Sequence, residues 1–183
     1  IYAYPLLALM VFITALGAPE GSWRLEIHPS LWTNDWLQVT MEHERFCGGP
    51  HPDGWEEVRV WNLIRGVEED LAGWFEGGRV ENKLKPNLLS VPTAILKSYM
   101  EKALLRYDKE GEDDCKKALP EVPNLFSLSL KPGGMQLWFE GFSYSMKSCA
   151  DELLLPYESL YPYLNVKGKE NLASILNSIG QKQ

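Results

Sequence analysis

Basic residues are in short supply in this sequence. Its 183 residues include 18 Lys and Arg against 25 Asp and Glu, a formal net charge of -7. Sequence-independent binding to nucleic acid, which needs clustered cations to displace counterions, is therefore excluded. Long apolar runs are missing too. The longest, LLALMVFITAL at residues 6–16, falls short of the roughly twenty residues needed to span a bilayer as a helix. No Gly-rich phosphate loop, GxSxG elbow or HExxH helix occurs, so the commonest phosphoryl-transfer, serine-hydrolase and zinc-protease signatures are absent. There are only three His and three Cys, and the cysteines do not have zinc-site spacing. No cofactor or metal is expected.

What is present is an ordinary globular composition, 45% apolar and 23% charged, far from the disordered regime. The apolar run at 6–16 is followed by Gly17, Ala18 and Pro19, the shape of a secretory h-region and cleavage zone. Residues 1–18 read as a truncated signal peptide, and 19–183 as one domain. The alternative for the run is a buried strand or helix of the domain itself. Three cysteines suit an exported protein with one disulfide and one leftover thiol. Cys115 with Cys149 is the preferred pair because the two flank one hairpin pattern. The other two pairings stay open.

Residues 23–27 (WRLEI) and 36–46 (WLQVTMEHERF) alternate apolar and polar with period two, as half-buried strands do. A third strand is expected at 56–64, followed by a short helix whose first turn carries Glu68, Glu69 and Asp70. The clearest helix covers 90–107, with Ser90 as cap, Pro92 in the first turn, and Ile95, Leu96, Tyr99, Met100, Ala103, Leu104 and Tyr107 on one apolar face. It should lie against a sheet. FSLSLKPGGMQLWF predicts a hairpin turning at Pro132 and Gly133. A last strand ends at Pro156, and an amphipathic helix runs from about Lys169 to Gly180. The pattern predicts an α+β fold: one curved antiparallel sheet packed against one long helix and short helices.

Between the second and third strands lies RFCGGPHPDGW. Gly48 and Gly49 allow the chain to turn, and Pro50 and Pro52 stiffen the return around His51. A rigid polar corner beside Trp55 serves either as a structural corner or as a recognition loop. His51, Trp55, Gly48 and Gly49 are the candidate binding residues, with the Trp55 indole free to stack on a sugar or anchor a protein. The enzymatic alternative is a cell-wall hydrolase using His43, Cys47 and His51, since His43 and Cys47 share a strand face. A structural domain without a ligand is the third reading. The pairs Glu56/Glu57 and Asp113/Asp114 read as solvated charges.

CGGPHPDGWEEVRVWNLIRGVEEDLAGWF and FSLSLKPGGMQLWFEGFSYSMKSCADELLLPYESLYPYL together resemble segments of the domain of unknown function 3298 (DUF3298) family. The resemblance covers residues 36–164, with the long helix between the two stretches. It implies an exported or membrane-anchored bacterial α/β domain of the cell envelope, with a curved antiparallel sheet on helices. Domains similar to it include the extracytoplasmic part of an anti-sigma factor that binds lysozyme and the non-catalytic N-terminal part of a peptidoglycan deacetylase. A lysozyme-like protein or a peptidoglycan fragment is the implied partner, and the periplasm or another extracytoplasmic space the implied location. In departure from those precedents, the 183 residues carry neither a spanning helix nor a deacetylase domain.

Overall fold

The computed structural model describes residues 13–14, 22–46, 53–81 and 87–180. The chain divides into two compact units, Ile1–Glu69 and Asp70–Gln183. The α+β class with antiparallel pairing holds, but the strands form two five-stranded sheets where one was expected. The reason is local. Within each sheet every strand pairs with its neighbours in sequence, but the fifth and sixth strands do not pair, because between them the chain leaves the first sheet through a 3-10 turn.

The first unit is a meander of β1 (Ile13–Thr14), β2 (Ser22–Trp32), β3 (Trp36–Phe46), β4 (Asp53–Asn62) and β5 (Val67–Glu69), paired in that order. β1 lies within the run read as an h-region and pairs with Leu25 and Arg24. β3 has the bounds that its alternation predicts. β2 runs further than expected, to Trp32, because a bulge between Pro29 and Leu31 lets it continue past the proline. The bulge turns Ser30 inward, where its hydroxyl takes hydrogen bonds from Gln38 Nε2 at 2.8 Å and Thr40 Oγ1 at 2.9 Å. The buried amide of Gln38 thereby gains a partner. One face of this sheet carries fully buried Trp36 and Val60.

Asp70 opens the second unit. Its carboxylate accepts from Ala72 N at 3.0 Å and caps the 3-10 helix Leu71–Trp74. Glu68 and Glu69, expected in that first turn, belong to β5 instead. The second sheet has the order β10 (Glu152–Leu155), β9 (Gly134–Phe139), β8 (Phe126–Lys131), β7 (Leu88–Leu89) and β6 (Arg79–Val80). The β8–β9 hairpin turns at Pro132 and Gly133 as its sequence predicts.

The long helix is α1 (Thr93–Glu110), three residues later than its pattern suggested at both ends. Pro92 stands at the N-cap without a side-chain cap, so Ser90 does not cap it. Of the predicted face, Ile95, Tyr99, Ala103 and Tyr107 are buried and Leu96, Met100 and Leu104 only half-buried at its margin, and Tyr99 meets Phe126 and Phe139 of the sheet. Gly111 ends the helix in the left-handed region at φ 73°, and α2 (Asp113–Ala118) follows. After β10 come α3 (Tyr157–Leu160) and α4 (Val166–Gly180).

The start of α4 is locked to the 3-10 helix. Asn165 N–H donates to Trp74 O at 2.8 Å, its amide donates to Gly73 O at 2.9 Å, and its Oδ1 accepts from Gly168 N at 2.9 Å. A Cβ on Gly168 would stand 2.3 Å from Trp74 O, which is inside any tolerated contact. Gly168→Ala is expected to cost about 1–3 kcal/mol of overpacking, read as a lowered urea midpoint at unchanged m-value.

Candidate functional site

Register brings three rings together in the first unit. β3 pairs His43 with Trp55 of β4 and with Leu25 of β2, so Trp23, two residues before Leu25, shares their face. His43 and Trp55 stack with ring centroids 4.6 Å apart and planes within 5°. Trp23 lies 6.2 Å from His43, tilted by 49°. Leu25, Ile27, Val39 and Met41 continue this face along β2 and β3, each half-buried. It is thus an apolar surface only partly withdrawn from water, with an aromatic cluster at one end.

Charge runs beside the rings along β4. Glu57 Oε2 lies 3.7 Å from His43 Nε2, too far for a hydrogen bond. The Arg59 guanidinium is bonded to Glu57 and, at 2.8 Å, to Glu68 of β5. The hydrogen bond to Glu68 and the nearby Glu57 charge raise the Arg59 pKa against the opposing effect of burial. Glu57 is therefore half-buried and ion-paired, not the solvated charge its doublet with Glu56 suggested.

Neither imidazole nitrogen of His43 has a hydrogen-bond partner among the described residues. A general base is held by a bond that fixes its tautomer and aim, and here the ring is held by stacking alone. The arrangement can bind a planar or apolar group.

Of the sequence-based candidates, Trp55 is half-buried with one ring face on His43. Cys47, Gly48, Gly49 and His51 lie outside the described residues. Cys115 and Cys149 form a disulfide in the second unit, the pair preferred from the hairpin they flank. No group of three or more His, Cys, Asp and Glu fit to hold a metal ion occurs among the described residues. Trp23 was not singled out from sequence. The signal was there in the period-two alternation that puts Trp23 and Leu25 on one face, but only the β2–β3 register places that face beside His43.

No protein-family model matches the sequence, and no curated protein does. Solved structures do. A DUF3298 family protein from Pseudomonas aeruginosa PAO1 matches 81% of this chain with a TM-score of 0.56 and 17% identity. A DUF3298 member from Bacteroides fragilis NCTC 9343 matches 90% with a TM-score of 0.57, also at 17% identity. The chain has the DUF3298 fold. It covers 64% of the Pseudomonas chain and 60% of the Bacteroides chain, less than two thirds of either.

Proposed function

We propose that this chain is a DUF3298 domain of the bacterial cell envelope, with residues 19–183 acting as one non-catalytic binding or sensing module. Its partner is a lysozyme-like protein or a peptidoglycan fragment. The observation that carries this reading is the Trp23–His43–Trp55 cluster, in which Trp23 and Trp55 stay partly exposed around a largely buried His43 that has no hydrogen-bond partner among the described residues. Aromatic side chains in such a setting are typical anchors for a partner. The Gly48, Gly49 and His51 corner, which lies between His43 and Trp55 in sequence, completes the proposed recognition surface.

An extracytoplasmic location is supported by the Cys115–Cys149 disulfide, since such bonds persist in oxidising compartments. The signal-peptide pattern at residues 1–18 supports it as well. No helix among the described residues is long and apolar enough to cross a membrane.

Pull-down against lysozyme and against purified peptidoglycan tests the proposal. Retention on at least one is expected, and retention by Trp55→Ala is expected to fall by roughly tenfold, in the range that loss of an aromatic anchor produces. Retention on neither, or a Trp55→Ala variant that binds like the parent, contradicts it. Cell-wall hydrolysis abolished by Cys47→Ala would favour the hydrolase reading instead.

A further inference from the structure

Among the described residues, four of the five exposed large apolar side chains of the first unit lie at one end of its sheet, and the fifth, Phe46, ends β3 at the other. Trp32 is 62% exposed, Leu63 41%, Ile64 72% and Val67 43%. Trp32 closes β2, and the other three belong to the turn between β4 and β5 and its exit. The two turns sit side by side because β3 pairs Trp36 with Asn62 of β4. Leu63 N–H donates to Asp35 O at 2.7 Å and clamps one turn to the other. We infer that this double-turn tip is a membrane-interface anchor, which inserts its four apolar side chains into the headgroup–acyl boundary of a phospholipid bilayer.

Three observations point to that occupant. First, the backbone of both turns is largely bonded within the tip: Thr33 N–H donates to Trp36 O at 2.8 Å, Trp36 N–H to Thr33 Oγ1 at 3.0 Å, and Arg65 N–H to Asn62 Oδ1 at 3.0 Å. Backbone groups satisfied in this way can leave bulk water at low cost. Second, the exposed apolar side chains are of the interfacial kind, an indole with branched aliphatics, and they stand beside Arg65 among the polar Asn34, Asp35 and Glu68. Arg65 reaches back to Glu69, and its side chain is 44% exposed. Third, the area is too small for a protein partner. Four side chains at one end of a sheet expose a few hundred Å² at most, whereas a stable protein interface buries roughly 800 Å² per side. A bilayer has no such threshold, because it accepts side chains one at a time.

With Asp35, Arg65 and Glu69 giving the tip no positive balance, attachment is apolar. It should take place on uncharged membranes and resist salt.

The test is flotation of the full chain with phosphatidylcholine vesicles. The parent is expected to float with the lipid at both low and high salt. Ile64→Asp is expected to reduce the bound fraction at least tenfold with unchanged far-UV circular dichroism, and Trp138→Ala, altering an exposed indole of the second unit, is expected to leave it unchanged. Lipids brominated near the headgroup should quench Trp emission in the parent and lose that component in Trp32→Phe. The inference is overturned if the parent does not float. Equal flotation of Ile64→Asp, or equal quenching of Trp32→Phe, overturns it too, because lipid contact would then lie elsewhere, as at the apolar run 6–16. So does a dimer in sedimentation that Ile64→Asp abolishes while vesicles bind nothing. None of these outcomes depends on whether lysozyme or peptidoglycan is bound.

Discussion

Tyr99→Ala is expected to cost about 3–5 kcal/mol, the range for removing a large aromatic from a packed core. Tyr99 is fully buried on α1. It meets Phe126 edge-on with centroids 5.0 Å apart and stacks on Phe139 at 4.8 Å. Phe126 and Phe139 are themselves T-shaped at 5.0 Å, so the ring fills the centre of an aromatic cluster joining helix to sheet. Such pairs contribute beyond the area they bury. The hydroxyl has a separate part: it accepts from Asp151 N at 3.2 Å, and burial pushes its pKa well up, which keeps it protonated. Tyr99→Phe retains the rings and removes one acceptor, for an expected loss of about 1 kcal/mol. Urea denaturation of both variants checks the two numbers. A Tyr99→Phe variant as unstable as Tyr99→Ala would mean that the hydrogen bond, not the ring packing, holds α1 in place.

Removing the Cys115–Cys149 bond is the second large effect. The two cysteines are 34 residues apart in sequence, and a closed loop of that length is worth about 3–4 kcal/mol in the chain-entropy account. The double variant Cys115→Ala, Cys149→Ala is expected to lose that much in urea denaturation. Both cysteines are buried, at 7% and 3% exposure, so reductant added to the native parent should act only as fast as the structure opens. The bond also holds a junction. Cys149 O accepts from Tyr107 Oη and, at 2.9 Å, from Arg106 Nη2 of α1, and Lys102 and Arg106 flank Asp151 at 3.5 and 3.8 Å. The strand β10 is thus tied to α1 just where the disulfide ties the preceding segment to α2. If the double variant lies within 1 kcal/mol of the parent, these polar ties suffice and the covalent link is redundant.

What the sequence made legible follows from local rules. The bounds of β3, the β8–β9 hairpin, the buried stripe of α1 and the preferred cysteine pair all come from periodicity, turn residues or what two cysteines flank. The division into two sheets did not, because period two says that a strand is half-buried and nothing about which strands share a ladder. The path of β2 was hidden by Pro29, an ordinary strand breaker that a bulge accommodates here. Glu68 and Glu69 read as helix starters because three acidic residues precede LAGW, yet only Asp70 has the geometry to cap it. For the site, Trp55 and His43 each drew attention alone, one as an anchor and one as a base. Their stacking depends on cross-strand register, which no single strand reveals. The extension of β2 past Pro29 brings Trp32 to an exposed end.

The central claim is that recognition takes place on the Trp23–His43–Trp55 face of the first sheet. Calorimetric titration with lysozyme and with a soluble peptidoglycan digest, comparing the parent with Trp55→Ala and Trp138→Ala, tests it most directly. The account predicts a Kd weakened by at least tenfold in Trp55→Ala, about 1.4 kcal/mol, and unchanged in Trp138→Ala. A Trp55→Ala chain that binds as the parent does while Trp138→Ala loses affinity would move recognition to the second unit and contradict the account.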